Sequence, residues 1–165
     1  MTFPIRRAAA LLCLLGFSVF ATTYQRLDLA AMAAKADVIV YANVLSSAVE
    51  TRGSLPWTTY TLQARRFAKG AADVLQTSGG QFGFSILGDP NGQTRLEGAP
   101  AFKAGEQVVL LLYASKYDNP IVGFTQGAFE VVGNAVQDLN GQPAPGQPKS
   151  VDEFMSTLSA LAAKK

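Results

Sequence analysis

The stretch from Trp57 to Gly70, WTTYTLQARRFAKG, alternates for most of its length. Trp57, Thr59, Thr61, Gln63 and Arg65 fall on one face, and Thr58, Tyr60, Leu62, Ala64 and Arg66 on the other. A side-chain period of two belongs to a strand with one face buried and the other wet. Thr, Tyr and Trp also suit a pleated, half-buried surface. The run ends at Lys69-Gly70, where glycine takes a positive φ at little cost and lets the chain turn. Ahead of it, Asp37 to Val49 is rich in β-branched residues and reads as a long strand able to pair with it. The loop between the two contains Gly53 and Pro56.

Further strands follow. Gly80 to Leu87 puts Phe82, Phe84 and Ile86 on one face. Gln107 to Tyr113, QVVLLLY, is the most continuously apolar run after the N-terminus, and its length and branching favour a buried strand. Ile121 to Phe124 reads as a short strand. Phe129 to Val132 reads as another, reversed by Gly133-Asn134 into Ala135 to Asp138. Helical pattern is confined to two places. Leu27 to Ala36 is rich in Ala, Leu and Met. Ser150 with Glu153 forms a capping box that opens a helix through Phe154, Leu158 and Leu161 toward Lys164 and Lys165. Ala71 to Thr77 fits a loop or one helical turn. About six short strands between two helices predict a mainly β fold. The favoured form is a small antiparallel OB-like barrel with a short N-terminal helix and a C-terminal helix, because closure removes sheet edges. A sandwich is the second choice.

The N-terminus changes how the charge is counted. Arg6 and Arg7 precede an apolar run from Ala8 to Phe20, and Val19-Phe20-Ala21 gives small residues for cleavage after Ala21. The run is shorter than the roughly 20 residues that span a bilayer, which favours a signal peptide over an anchor. Cys13 follows Leu12 rather than a small residue, which argues against a lipoprotein signal. Cleavage leaves about 144 residues, secreted or periplasmic, with no membrane attachment. Lys plus Arg falls from 14 to 12 against 12 Asp plus Glu, so the remaining chain carries no formal net charge. That is not the basic footprint of a nucleic-acid binder. The single cysteine leaves with the signal, so no disulfide braces the fold and stability rests on its core. The division read from the sequence is 1–21 signal, 22–138 barrel, 139–149 Pro/Gly-rich linker and 150–165 helix.

Catalytic equipment is thin. The chain has no histidine, and with Cys13 removed it has no thiol. The common triads, thiol catalysis and ordinary zinc sites are therefore out of reach. Gly83-Phe84-Ser85-Ile86-Leu87-Gly88 approaches a nucleophile elbow, but its second glycine comes one residue late and no helix follows. Asp89-Pro90-Asn91-Gly92 and Asp138-Leu139-Asn140-Gly141 lack the spaced oxygens of a calcium loop and read as Asx-turns. Glu97, Glu106 and Glu130 could serve a carboxylate hydrolase, though nothing in their spacing sets two of them face to face. No catalytic, cofactor-binding or metal-binding residue is assigned. Trp57, beside Pro56 at the edge of a loop, suits either core packing or an anchor for a partner. Arg65 and Arg66 interrupt the strand near its end as rim arginines. These three residues are the candidates for a partner-binding surface.

In this order the segments resemble the netrin-like OB domain of the tissue inhibitors of metalloproteinases, and small secreted bacterial proteins of the same layout. The likeness rests on Ala36-Asp37-Val38-Ile39-Val40 entering the first strand and on Thr59-Tyr60-Thr61-Leu62 leading to Phe67-Ala68-Lys69-Gly70. It continues with Phe102-Lys103-Ala104-Gly105-Glu106-Gln107 and Gly123-Phe124-Thr125-Gln126-Gly127, and spans roughly Leu27 to Val132. The resemblance implies an OB barrel and a protein partner, such as an exported peptidase. It does not carry the inhibitory mechanism, because the N-terminal cysteine that chelates the protease zinc is replaced by Thr22 or Thr23. The expected function is a non-enzymatic protein-binding domain. The alternatives are a carboxylate-dependent hydrolase of cell-wall or exported polymers, and a small-molecule carrier with its ligand in the barrel mouth.

Overall fold

The structure, a computed structural model, describes residues 25–71, 75, 79–90, 92, 94, 96, 98–114 and 118–164. The signal-peptide reading, Cys13, Glu97 and most of the 71–77 segment lie outside these residues. The chain is mainly β. Its elements run α1 (Leu29–Lys35), β1 (Val38–Arg52), β2 (Leu55–Lys69), β3 (Gln81–Leu87), β4 (Gln107–Leu112), β5 (Ala128–Val132), β6 (Ala135–Asp138) and α2 (Val151–Ala163). All six strands belong to one antiparallel sheet in the order β3-β2-β1-β4-β5-β6.

Both faces of the sheet are covered at its centre, which explains the unbroken apolar run of β4. Val108, Leu110 and Leu112 join Val38, Val40, Ala42, Val44, Leu62 and the rings of Tyr60, Phe84 and Phe102 on one face. Val109 and Leu111 join Ile39 and Phe129 on the other, under Met32 of α1 and Phe154, Met155 and Leu158 of α2. A strand buried on both sides has no polar face to alternate with. The Tyr60 and Phe102 rings meet edge-on with centroids 5.2 Å apart, and Phe129 and Phe154 do so at 5.0 Å. These are the tilted arrangements that ring quadrupoles favour.

Local chemistry holds the helices in place. Asp28 caps α1 by accepting the Ala31 N–H at 2.6 Å. At its other end Lys69 Nζ donates to the carbonyls of Ala33 and Ala34, each at 3.0 Å, where the helix dipole favours a cation. Ser150 caps α2 by accepting the Glu153 N–H. The Glu153 carboxylate reaches back one residue further than in a standard capping box, to the Lys149 N–H at 2.9 Å.

Backbone pairing leaves the sheet open, with β3 and β6 at its ends, so it does not itself close the expected barrel. Other segments cover part of these edges. Ala144 N–H donates to Val136 O, Asp138 N–H to Gln142 O, and Pro143 bridges Gln137. Residues 142–144 of the Pro/Gly-rich 139–149 stretch therefore run along β6, and Ala144 is buried. Leu87 N–H at the end of β3 donates to Asp118 O at 2.9 Å.

One strand read from the sequence is replaced by a turn. Ile121 makes a single bridge to Leu112, and the chain then coils through Gly123 and Phe124, both at positive φ. Asn119 fixes the coil by donating from Nδ2 to Phe124 O and accepting the Ile121 N–H at Oδ1. Backbone approach is close there: a Cβ on Gly127 would lie 2.8 Å from Val122 O. Ile121 and Val122 are apolar because they are buried beside β4, a property that a strand and a packed turn share.

Candidate functional site

β1 and β2 are each 15 residues long, whereas β3 to β6 have four to seven. Two long strands paired from end to end must outrun their shorter neighbours. β1 pairs with β4 only from Val38 to Asn43. Past Val44 it continues with β2 as its one strand partner among the described residues, to a two-residue turn at Gly53-Ser54. Gly53 takes φ 66° there, as a glycine-first hairpin turn requires. Every residue from Leu45 to Arg52 is exposed. The arm carries three exposed aliphatic side chains: Leu45 at 41 %, Val49 at 49 % and Leu55 at 48 %.

A polar cluster covers the outer face of this arm. Arg52 is ion-paired to Glu50, and its guanidinium carbon sits 5.2 Å from the centre of the Trp57 ring. Arg52 Nη2 also donates to Ser85 Oγ at 2.9 Å and to Thr59 Oγ1 at 3.2 Å. Thr59 donates to Glu50 Oε1 at 3.0 Å and lies 2.8 Å from Ser85 Oγ. Antiparallel register assembles the group, since Glu50 faces Trp57 and Thr59 faces Ser85. Hydrogen bonds from Arg52 first, and from Thr59 second, lower the pKa of the Glu50 carboxyl. Stacked and paired at the surface, Arg52, Glu50 and Trp57 form a polar plate on one face of the arm.

The three residues singled out from the sequence are not brought together. Trp57 is half-buried in the arm, under Arg52. Arg65 and Arg66 lie eight or nine residues along β2, about 27 Å away at strand spacing. Arg65 is the extra residue between the pairs Ala42–Ala64 and Tyr41–Arg66, and this bulge turns Arg66 to the opposite face from that given by simple alternation. Arg66 there meets Asp152 of α2 at 3.0 Å, while Arg65 Nε donates to Asn43 Oδ1 at 2.7 Å. Both arginines have partners within the fold. Sequence reasoning missed Glu50, Arg52, Thr59 and the exposed aliphatics of the arm. The available signal was the mismatch in strand length.

The acids are placed as follows. Glu106 Oε2 accepts the Lys103 N–H at 2.8 Å. Asp138 Oδ1 accepts the N–H groups of Asn140 and Gln142, each at 2.9 Å, in the Asx-turn read from the sequence. Glu130 and Asp138 both line an open groove of about 1010 Å³, together with Arg26, Gln126, Leu139 and Pro143. Among the described residues, no group of three or more acidic, Cys or His side chains is placed to hold a metal ion. No described helix is long and apolar enough to cross a membrane. No protein-family model matches the chain, and no curated protein matches it.

Proposed function

We propose that the chain is an exported, non-enzymatic binding module that recognises another protein through the β1–β2 arm. One observation carries this reading: eight consecutive exposed strand residues, Leu45 to Arg52, which include the aliphatics Leu45 and Val49 and the Arg52 that lies over Trp57 of β2. An exposed strand edge adds a partner strand through main-chain hydrogen bonds and reads its side chains through the flanking faces. The OB-like barrel stays part of this proposal on the strength of the sequence segments that resemble one, while the described strands form one open six-stranded antiparallel sheet. An exported peptidase remains the partner class that this resemblance suggests.

A photo-crosslinking residue placed at Val49 tests the reading against the same residue at Ser159, on the exposed side of α2. The expected result is protein crosslinks from position 49 and none from 159, in the exported fraction of cells that make the chain. Equal crosslinking at both positions, or none at either, contradicts it. The second reading, a small-molecule carrier, is favoured by the open groove beside Glu130 and Asp138, whose volume lies at the upper end for ligand sites.

A further inference from the structure

The open groove of about 1010 Å³ lies where the start of β5 and the end of β6 meet the approach to α1 and the 98–101 loop. Its floor is part of the core, since Met32 and Phe129 line it and each is 2 % exposed. Three charged side chains also line it: Arg26, Glu130 and Asp138. Arg26 and Glu130 have no hydrogen bond or ion pair among the described residues, so the two opposite charges share the groove without meeting. Asp138 pairs with Phe129 across the β5–β6 ladder, which sets its carboxylate beside the apolar floor. Its Oδ1 accepts the Asn140 and Gln142 N–H groups, which fixes the carboxylate and leaves Oδ2 without a hydrogen bond among the described residues. Elsewhere the fold satisfies its charges internally, as in Arg52–Glu50 and Arg66–Asp152.

We propose that this groove binds a short apolar peptide with free ends, its ammonium group held by Glu130 and Asp138 and its carboxylate by Arg26. The proposal rests on the carrier reading rather than on the arm, and names the ligand class. Charge complementarity selects the occupant. An anion alone would face two carboxylates, and a cation alone would leave Arg26 unanswered. A peptide with free ends supplies one charge of each sign, and charge-assisted hydrogen bonds are the stronger kind. Apolar side chains on the ligand would cover the Met32 and Phe129 floor. The side-chain amides of Asn140 and Gln142 line the same groove, and each offers a donor and an acceptor that match a peptide bond. The volume lies at the upper end for ligand sites, which favours a ligand longer than a single amino acid.

Titration calorimetry with the peptides Ala-Leu, Ala-Leu-Ala and Ala-Leu-Ala-Leu tests this, each one free, N-acetylated, C-amidated or blocked at both ends. The free form of at least one length should bind, and either block should weaken it about tenfold or more. Two variants assign the ends. Glu130→Gln combined with Asp138→Asn keeps an oxygen for the Asx-turn but removes both negative charges. It should bind free and acetylated peptide alike while still discriminating against the amide. Arg26→Gln should show the reverse pattern, and circular dichroism checks that both variants remain folded. A block that costs nothing, or variants that weaken all forms equally, would overturn the assignment. If the doubly blocked peptide binds as well as the free one, the recognition of charged ends fails and the carrier reading stands. If no form of any length binds, both fail.

Discussion

Tyr60 and Thr58 sit two residues apart on the buried face of β2, and only one of them has its polar atom satisfied. Thr58 Oγ1 donates to Gly88 O at 2.7 Å. Tyr60 is 1 % exposed, wedged between Phe84 and Phe102, and its hydroxyl has no partner in hydrogen-bonding geometry among the described residues. Burial pushes its pKa above the ordinary 10.0, and the nearby Phe102 backbone offsets only part of the rise. An acid whose folded pKa is raised stays neutral in the fold while the unfolded chain ionises. Stability is therefore unaffected below pH 10 and is lost as pH rises above it. Tyr60→Phe removes both the unsatisfied hydroxyl and this ionisation. It is predicted to leave stability unchanged or raise it by up to about 1 kcal/mol at pH 7, and to flatten its decline above pH 10. Urea unfolding at the two pH values measures both effects. A loss of more than about 1 kcal/mol at pH 7 would show that the hydroxyl has a partner in solution.

At the level of elements, the arm and the two-faced centre of the sheet obey different rules. Phe154 joins α2 to Phe129 and is 1 % exposed, so Phe154→Ala is predicted to cost about 3–5 kcal/mol. Val49 lies on the arm at 49 % exposure, and Val49→Ala is predicted to change stability by less than about 0.5 kcal/mol. Chemical denaturation of the two variants checks the contrast, and a costly Val49→Ala would mean that the arm is packed rather than offered. Much of this architecture is legible in the chain. Alternation places Thr58, Tyr60 and Leu62 inside, and Phe82, Phe84 and Ile86 likewise. The uninterrupted QVVLLLY is explained by burial on both faces. The bulge at Arg65 is not legible, because one extra residue in a strand leaves no mark in composition while reversing the face of Arg66. The coil at 121–124 is hidden for a related reason, since apolar content reports burial rather than backbone shape. The arm itself is foreshadowed by the long runs on either side of Gly53, but its free edge depends on where β4 stops, a long-range pairing that local pattern does not carry.

For the whole molecule, the account turns on edges. The open sheet has β6 lined by residues 142–144 and the end of β3 tied to Asp118, while the distal half of β1 has no second strand beside it among the described residues. Covered edges elsewhere and eight exposed residues here are what the proposed function rests on, since a partner strand could complete that edge. Amide hydrogen exchange tests this most directly, followed residue by residue in dilute chain and again with the captured partner. In dilute chain, amides from Val38 to Asn43 should exchange slowly, whereas those on the free edge between Leu45 and Arg52 exchange quickly and become protected once the partner is present. Protection of Leu45 to Arg52 equal to that of Val38 to Asn43 in dilute chain, or fast exchange under every condition, would contradict the account.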